Sequence, residues 1–153
     1  MPESGFKQEQ IKWFKEETAR IKEKNPTPPP AFVFMHVPLT QYNTIWAKGI
    51  AKGVKNEPVQ FEKGSPEGFY AIKNSGMVKA VFCGHDHYNN YSGELDGIEL
   101  QYLRSTGYGG YGGDKVKKGG TIITINTSNP EKEYETLVVF ADGSSLKLDE
   151  LAK

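Results

Sequence analysis

The sequence contains a single cysteine, Cys83, and only three histidines, His36, His85 and His87. One cysteine excludes an internal disulfide framework and any zinc site built from several thiolates. Neither sign of charge is in excess, since 19 Lys and Arg residues balance 19 Asp and Glu residues. A protein that binds nucleic acid through electrostatics needs a clustered positive excess, so we expect no nucleic-acid partner.

Long apolar runs are also absent. No stretch approaches the roughly 18 consecutive apolar residues that a membrane-spanning helix needs, so we expect no membrane partner. The first residues lack the apolar core of a targeting signal, and the sequence assigns no compartment. Hydrophobic residues make up 37% of the chain, which is too much core material for a disordered segment. The 153 residues are predicted to form one region over 1–153.

The order of the predicted elements indicates an α/β fold. An amphipathic pattern predicts a helix over 6–24, and two continuous apolar runs, 31–37 and 78–83, predict buried strands. A second helix is predicted over 65–76, and 39–68 match no regular template. This first half therefore alternates helix and strand, an arrangement typical of a layered domain.

The second half of the chain predicts antiparallel strands. A hairpin is expected over 93–105, with Asp96-Gly97 as its turn. Further strands are predicted over 121–127, 134–140 and 145–148. Predicted helices are thus confined to the first half. The chain is predicted to form a mixed sheet with antiparallel strands toward the C-terminus.

Histidines stand where the two buried strands end. His36 closes the first strand, and the second is followed by Gly84, His85, Asp86 and His87. Functional groups gather at the carboxyl edge of parallel strands, so we expect these side chains to meet across the 49 positions from His36 to His85. His85 and His87 point the same way if their segment is extended.

Three converging imidazoles suit Zn, Fe, Mn or Ni, and the spacing therefore predicts a metal site at His36, His85 and His87. The alternative is that each is an ordinary hydrogen-bonded histidine. Asp86 is expected either to hydrogen-bond a ligand imidazole or to be a solvated carboxylate. Arg104 is either a phosphate contact or a strand-surface arginine, and Cys83 is expected to pack in the core.

Two segments resemble a known family. FMHVPL (34–39) and VFCGHDH (81–87) resemble the last two metal-binding blocks of the calcineurin-like metallophosphoesterase superfamily, an isolated His after a strand and then a Gly-His-x-His. The helix carrying 10–14 and the run 104–112 resemble the purple-acid-phosphatase-like branch. The resemblance covers about residues 6–115 and implies part of a layered β-sandwich with flanking helices.

The resemblance also implies a chemistry. Enzymes of this superfamily hydrolyse phosphate mono- or diesters with two metal ions that clamp the phosphate and activate a water. His36 and His85 would bind the second metal, and His87 the first. The implied cofactors are divalent or trivalent ions (Fe, Zn or Mn), two in the complete site, and the implied substrate is a phosphate ester.

Three family blocks are not found in residues 1–153: an Asp-x-His, a Gly-Asp with a following Asp, and a Gly-Asn-His. Two cations in one site need an anionic bridge, and Asp86, Asp96 and Asp114 match no ligand position of the family. The sequence therefore predicts the C-terminal half of a phosphoesterase domain, inactive alone, with an exposed sheet face or edge. Its expected partner is either the missing N-terminal half or a second copy of the chain.

A glycine-rich run at 107–112 matches G-x-G-x-x-G literally. A dinucleotide site would need a helix directly after it, and the glycines and lysines that follow do not start one. We expect a loop at the rim of the site, with Tyr108 and Tyr111 as substrate-contacting aromatics. Two other functions are left open, a stand-alone non-catalytic metal-binding or interaction module and a mononuclear three-histidine zinc hydrolase.

Overall fold

The computed structural model describes residues 5–61, 63, 67–128 and 134–151. The helices in these parts are α1 (Gln8–Lys24), α2 (Gln41–Ala47) and α3 (Glu67–Ser75). The strands are β1 (Ala31–Phe34), β2 (Lys52–Lys55), β3 (Val78–Cys83), β4 (Asn89–Leu95), β5 (Ile98–Tyr102), β6 (Gly119–Ile125), β7 (Tyr134–Phe140) and β8 (Ser145–Leu146). Short 3₁₀ turns lie at Gly113–Lys115 and Leu148–Glu150.

The strands form two sheets. A mixed five-stranded sheet has the order β1-β3-β5-β4-β2, in which β3 runs parallel to both β1 and β5. An antiparallel three-stranded sheet has the order β6-β7-β8. The predicted α/β class, with a mixed sheet and antiparallel strands toward the C-terminus, is confirmed.

Two predicted helices are present, and the predicted start of the second at residue 65 lies outside the described residues. α1 begins at Gln8 rather than residue 6, and the Gln10 side chain accepts a 2.8 Å hydrogen bond from the Lys7 amide at its first turn. α3 ends where Gly76 takes a φ of 64°, a left-handed conformation that costs glycine little. α1 packs on α3, and their apolar faces join the core of the five-stranded sheet.

The prediction that 39–68 are irregular was wrong, because α2 and β2 lie there. α2 is seven residues long and buries only Tyr42 and Ile45, which is too short a pattern to give a clear helical period. β2 has four residues and contains Gly53 at a φ of 111°, where β2 runs against β4. Both are held by tertiary contacts and not by local preference.

The register of β1 against β3 brings the two histidine-bearing strand ends together. Phe34 pairs with Phe82, and just beyond it the Gly84 amide donates a 3.1 Å hydrogen bond to the His36 carbonyl. β1 ends at Phe34, three residues before the predicted end at residue 37. The predicted adjacency of the two strand ends therefore holds, and β3 matches its predicted bounds.

β1 lies at one edge of the five-stranded sheet, as expected for an exposed edge. Phe34 is 60% exposed there although its ring stacks on Phe82 at a centroid distance of 5.0 Å. Phe82 also meets Tyr134 of β7, which links the two sheets. None of the described helices is long and apolar enough to cross a membrane.

Candidate metal centre

His36 and His85 form a contact pair at the ends of β1 and β3. The Nε2 atom of His36 lies 3.2 Å from the Nδ1 atom of His85, and the two rings meet edge to face with centroids 5.0 Å apart. Gly84 lies close to the His36 ring, since a Cβ at Gly84 would come 3.8 Å from His36 Nδ1. The parallel register of the two strands thus places one nitrogen of each imidazole within contact distance of the other.

The segment between the strand end and His87 is not extended. His85 has a φ of 74°, in the left-handed region, and the chain turns over His87 and Tyr88 before β4 begins. The condition under which we expected His85 and His87 to point the same way, an extended segment, is therefore not met. A non-glycine residue at positive φ is uncommon, and here the turn sends the two imidazoles to different partners.

His87 contacts the glycine-rich loop. Its Nδ1 atom lies 2.9 Å from the Tyr111 carbonyl oxygen, and its ring stacks on the Tyr111 ring at 4.0 Å with 7° between the planes. The backbone amide of His87 donates a 2.8 Å hydrogen bond to the Tyr111 hydroxyl. A Cβ at Gly110 would come 2.5 Å from His87 Cε1, so the loop backbone lies directly against the ring.

Asp86 points into the protein interior. It is 3% exposed, and its Oδ2 atom accepts hydrogen bonds from the Tyr102 hydroxyl at 2.6 Å and the Gln60 amide at 3.1 Å. Neither sequence expectation holds, since these partners are a tyrosine and a backbone amide and the carboxylate is not solvated. Asp86 therefore anchors the Gly-His-Asp-His turn to the core.

All three histidines line one cavity of about 470 Å³ at the carboxyl ends of β1, β3 and β5. Its wall also includes Arg104, whose Nε atom donates a 2.7 Å hydrogen bond to the Lys117 carbonyl oxygen. The Arg104 guanidinium lies 5.5 Å from the centre of the Phe140 ring, and burial lowers the pKa of Arg104. The structure thus gives Arg104 a backbone partner beside the cavity.

The two predicted rim tyrosines behave differently. Tyr108 is 78% exposed. Tyr111 is 49% exposed, and its hydroxyl donates a 2.8 Å hydrogen bond to Glu57 Oε1. Burial is the largest of the effects that raise the pKa of Tyr111 to about 12. Tyr108 is therefore the more exposed of the two, whereas Tyr111 contacts His87.

Glu57 is the residue near the site that the sequence did not reveal. Its Oε1 atom accepts hydrogen bonds from the Tyr88 amide at 2.6 Å and from the Tyr111 hydroxyl. Glu57 is held in turn by Asn89, whose Oδ1 accepts the Asn56 and Glu57 amides at 3.1 Å each. No motif links Glu57 to the histidines, since 28 positions separate it from His85 in the sequence (85 − 57 = 28) and the contact is made by β2 pairing with β4.

The distance between the facing nitrogens of His36 and His85 matches the distance between two ligands of one metal ion. Two imidazole nitrogens bound at about 2.0–2.1 Å to one tetrahedral zinc ion lie roughly 3.3–3.4 Å apart, and His36 Nε2 and His85 Nδ1 are 3.2 Å apart. Within the described residues, however, no three His, Cys, Asp or Glu side chains are arranged to hold one ion. This disfavours the mononuclear three-histidine hydrolase. The same observation is compatible with an assignment in which His87 binds a different ion from the one bound by His36 and His85.

Three plant proteins are similar to the chain in sequence. It is 29% identical over 127 residues to probable inactive purple acid phosphatase 29 of Arabidopsis thaliana, a match covering 78% of the chain and 33% of that protein. It is 33% identical over 101 residues to probable inactive purple acid phosphatase 14 of the same plant, covering 66% and 25%. With probable inactive purple acid phosphatase 28 it shares 26% identity over 153 residues, covering 97% and 37%.

The resemblance to the purple-acid-phosphatase-like branch of the calcineurin-like metallophosphoesterase superfamily is confirmed. The chain spans between 25% and 37% of the length of these plant relatives. A dimetal phosphatase from Danio rerio superposes with a TM-score of 0.46 at 15% identity, covering 94% of this chain and 38% of that one. No family model matches the chain.

Proposed function

We propose that the chain supplies the histidine-bearing part of a metal-dependent phosphoesterase site that hydrolyses phosphate mono- or diesters, and that residues 1–153 alone do not catalyse this reaction. The observation that carries the proposal is the 3.2 Å approach of His36 Nε2 to His85 Nδ1 at the ends of two parallel strands. Two ring nitrogens at this spacing form a hydrogen bond in the metal-free chain and suit the chelation of one cation, and the similar plant proteins are named probable inactive purple acid phosphatases.

Each histidine has a role in this proposal. His36 and His85 bind one ion, and His87, which lies on the same turn as His85, faces the same cavity and binds the other. The bound ions would neutralise the phosphate charge and lower the pKa of a coordinated water. A phosphate ester that enters the cavity meets Arg104 on its wall, whereas Tyr108 lines a different cavity, beside Lys117 and Asp142.

The carboxylates of the chain support the expectation of inactivity. Two neighbouring cations need an anionic bridge, and the carboxylate that lines the cavity is that of Asp86. That carboxylate is committed to the Tyr102 hydroxyl and the Gln60 amide. Among the described residues the cavity therefore offers no uncommitted carboxylate as a bridge, and all three histidines of the chain are already assigned to metal binding.

Metal titration tests the proposal. Calorimetry with Zn²⁺ or Mn²⁺ should detect binding to the chain, and His36→Ala or His85→Ala should weaken it at least tenfold because each removes one of two chelating nitrogens. Glu9→Gln, an exposed change in the first turn of α1, is the control and should bind as the native chain does. Equal affinity in all variants would overturn the metal assignment.

Turnover of p-nitrophenyl phosphate tests the second half of the proposal. We expect no hydrolysis above the metal-only background with purified residues 1–153 in the presence of Zn²⁺, Mn²⁺ or Fe. Hydrolysis that is abolished by His87→Ala would show that the chain needs no further ligands, and the inactivity expectation would be wrong.

The second candidate is a stand-alone non-catalytic module, and the absence of a three-donor cluster in the described residues favours it. The gene sequence upstream of Met1 separates the two candidates. Asp-x-His, Gly-Asp-x-x-Asp and Gly-Asn-His-Asp/Glu encoded in frame or in an adjacent gene would support the phosphoesterase part. Their absence would support the module.

A further inference from the structure

We propose that Glu57 is a positioning residue that acts through Tyr111 to fix the orientation and the tautomer of His87. The geometric claim stands on the contacts of Glu57, Tyr111 and His87, and its consequence for metal binding rests on the proposed function. Glu57 belongs to no motif of the sequence, and it touches neither the cavity nor the other two histidines among the described contacts.

The tautomer of His87 follows from its partner. The Tyr111 carbonyl oxygen can only accept a hydrogen bond, so the His87 Nδ1 atom 2.9 Å away must carry the proton. In the neutral ring this leaves the lone pair on Nε2. A metal ligand needs that lone pair, and a hydrogen bond from the other ring nitrogen to a carbonyl is how proteins commonly set it.

The orientation of the ring is set from two sides. Tyr111 stacks on one face of His87 at 4.0 Å, nearly parallel to it. The backbone of Gly110 touches the ring edge, where even a Cβ would come 2.5 Å from Cε1. The His87 imidazole therefore cannot rotate while the loop keeps its position. The position of the loop thus determines the orientation of the ring.

Glu57 controls that position. A single oxygen, Oε1, accepts the Tyr88 amide at 2.6 Å and the Tyr111 hydroxyl at 2.8 Å, which ties the histidine turn to the glycine-rich loop. The Tyr111 hydroxyl also accepts the His87 amide at 2.8 Å and so closes the network. Hydrogen bonds to a charged carboxylate are stronger than neutral ones, so the two hydrogen bonds to Glu57 hold the turn firmly to the loop.

Nitrogen-detected NMR of the His87 ring in the metal-free protein tests the proposal. The native chain should show the Nδ1–H tautomer. Tyr111→Phe keeps the stacking ring but removes the hydroxyl, and Glu57→Ala removes the carboxylate, so both should shift His87 toward a mixture of tautomers. Glu57→Gln keeps an Oε1 acceptor and should preserve the native tautomer. Tyr108→Phe and Glu9→Gln are matched controls that should leave it unchanged.

The outcomes are separable. An Nε2–H tautomer in the native chain, or an unchanged His87 in both Tyr111→Phe and Glu57→Ala, would overturn the positioning role. Amide spectra report whether each variant folds, and Tyr111→Phe decides the matter if Glu57→Ala does not. Zinc titration followed at the His87 ring is the second readout: the affinity of the ion that His87 binds is expected to fall about 10–100-fold in both variants, while binding at His36 and His85 is unchanged. A native chain that binds no zinc but shows the tautomer change would end the proposed function and support the positioning role.

Discussion

The Tyr102 hydroxyl donates a 2.6 Å hydrogen bond to the carboxylate of Asp86, and both residues are buried. Asp86 lies between the two histidines of the Gly-His-Asp-His turn, whereas Tyr102 ends β5, the strand next to β3. The contact therefore fastens the turn that carries His85 and His87 to the central strands. It explains how a residue at positive φ, His85, is held in place.

Tyr102→Phe should destabilise the fold. The change leaves the buried Asp86 carboxylate with the Gln60 amide as its described partner, and losing a hydrogen bond to a charged group costs about 1.5–3 kcal/mol. Urea denaturation followed by circular dichroism measures the free energy of unfolding. The control is Tyr70→Phe, which removes a hydroxyl from a tyrosine that is 53% exposed. Equal unfolding free energies for the two variants would contradict the role given to this contact.

Gly110→Ala should displace the His87 ring, whereas Gly109→Ala should not. The added methyl at Gly110 would lie 2.5 Å from His87 Cε1, while a methyl at Gly109 meets nothing within 4 Å. Overpacking of this kind costs about 1–3 kcal/mol unless the loop moves. Ring chemical shifts of His87 measure the displacement, and the unfolding free energy measures the cost. Similar His87 shifts in both variants would contradict the observed contact between loop and ring.

The parts of the fold that were predictable are those with strong local patterns. The apolar run of β3 and the Asp96-Gly97 turn need no distant partner to be recognised, and Asp96 and Gly97 take φ values of 54° and 80°, as a hairpin turn of this kind requires. The juxtaposition of His36 and His85 was also predictable, because parallel strands share a carboxyl edge.

The rest depends on contacts that no local pattern encodes. β2 has only four residues, one of them glycine, and its pairing with β4 is what brings Glu57 to the histidine turn. The turn at His85 was not predicted, because the positive φ there depends on the contact of the buried Asp86 with Tyr102. Motif spacing can locate ligands along the chain, but it does not give the backbone conformation that aims them.

Stability should fall at alkaline pH. Burial raises the pKa of the hydroxyl groups of Tyr42, Tyr91 and Tyr102 in the folded chain. Unfolded tyrosines ionise near about pH 10. Above that pH the unfolded state binds fewer protons than the folded state, so the free energy of unfolding decreases as pH rises and is unaffected by these groups at lower pH.

Urea denaturation at a series of pH values from 8 to 11 checks this. Tyr91→Phe removes one of the three hydroxyl groups and should give a shallower decline of the unfolding free energy. A constant free energy of unfolding across this range would contradict the effect of burial on these groups.

The Cys83 thiol should be inert in the folded protein. Cys83 is 0% exposed at the end of β3, which confirms the sequence expectation that it packs in the core, and burial raises the pKa of its thiol. Because the thiolate is the reactive form, a disulfide reagent such as Ellman's reagent should label the native chain only as fast as the chain opens, and completely in urea. Thr124→Cys supplies the control, since it adds a thiol at an exposed position of β6 that should react at once while Cys83 stays unlabelled. Labelling of Cys83 at the rate of that exposed thiol would show that the end of β3 beside the histidine pair is open to solvent, and the packing that aligns His36 with His85 would then have to be revised.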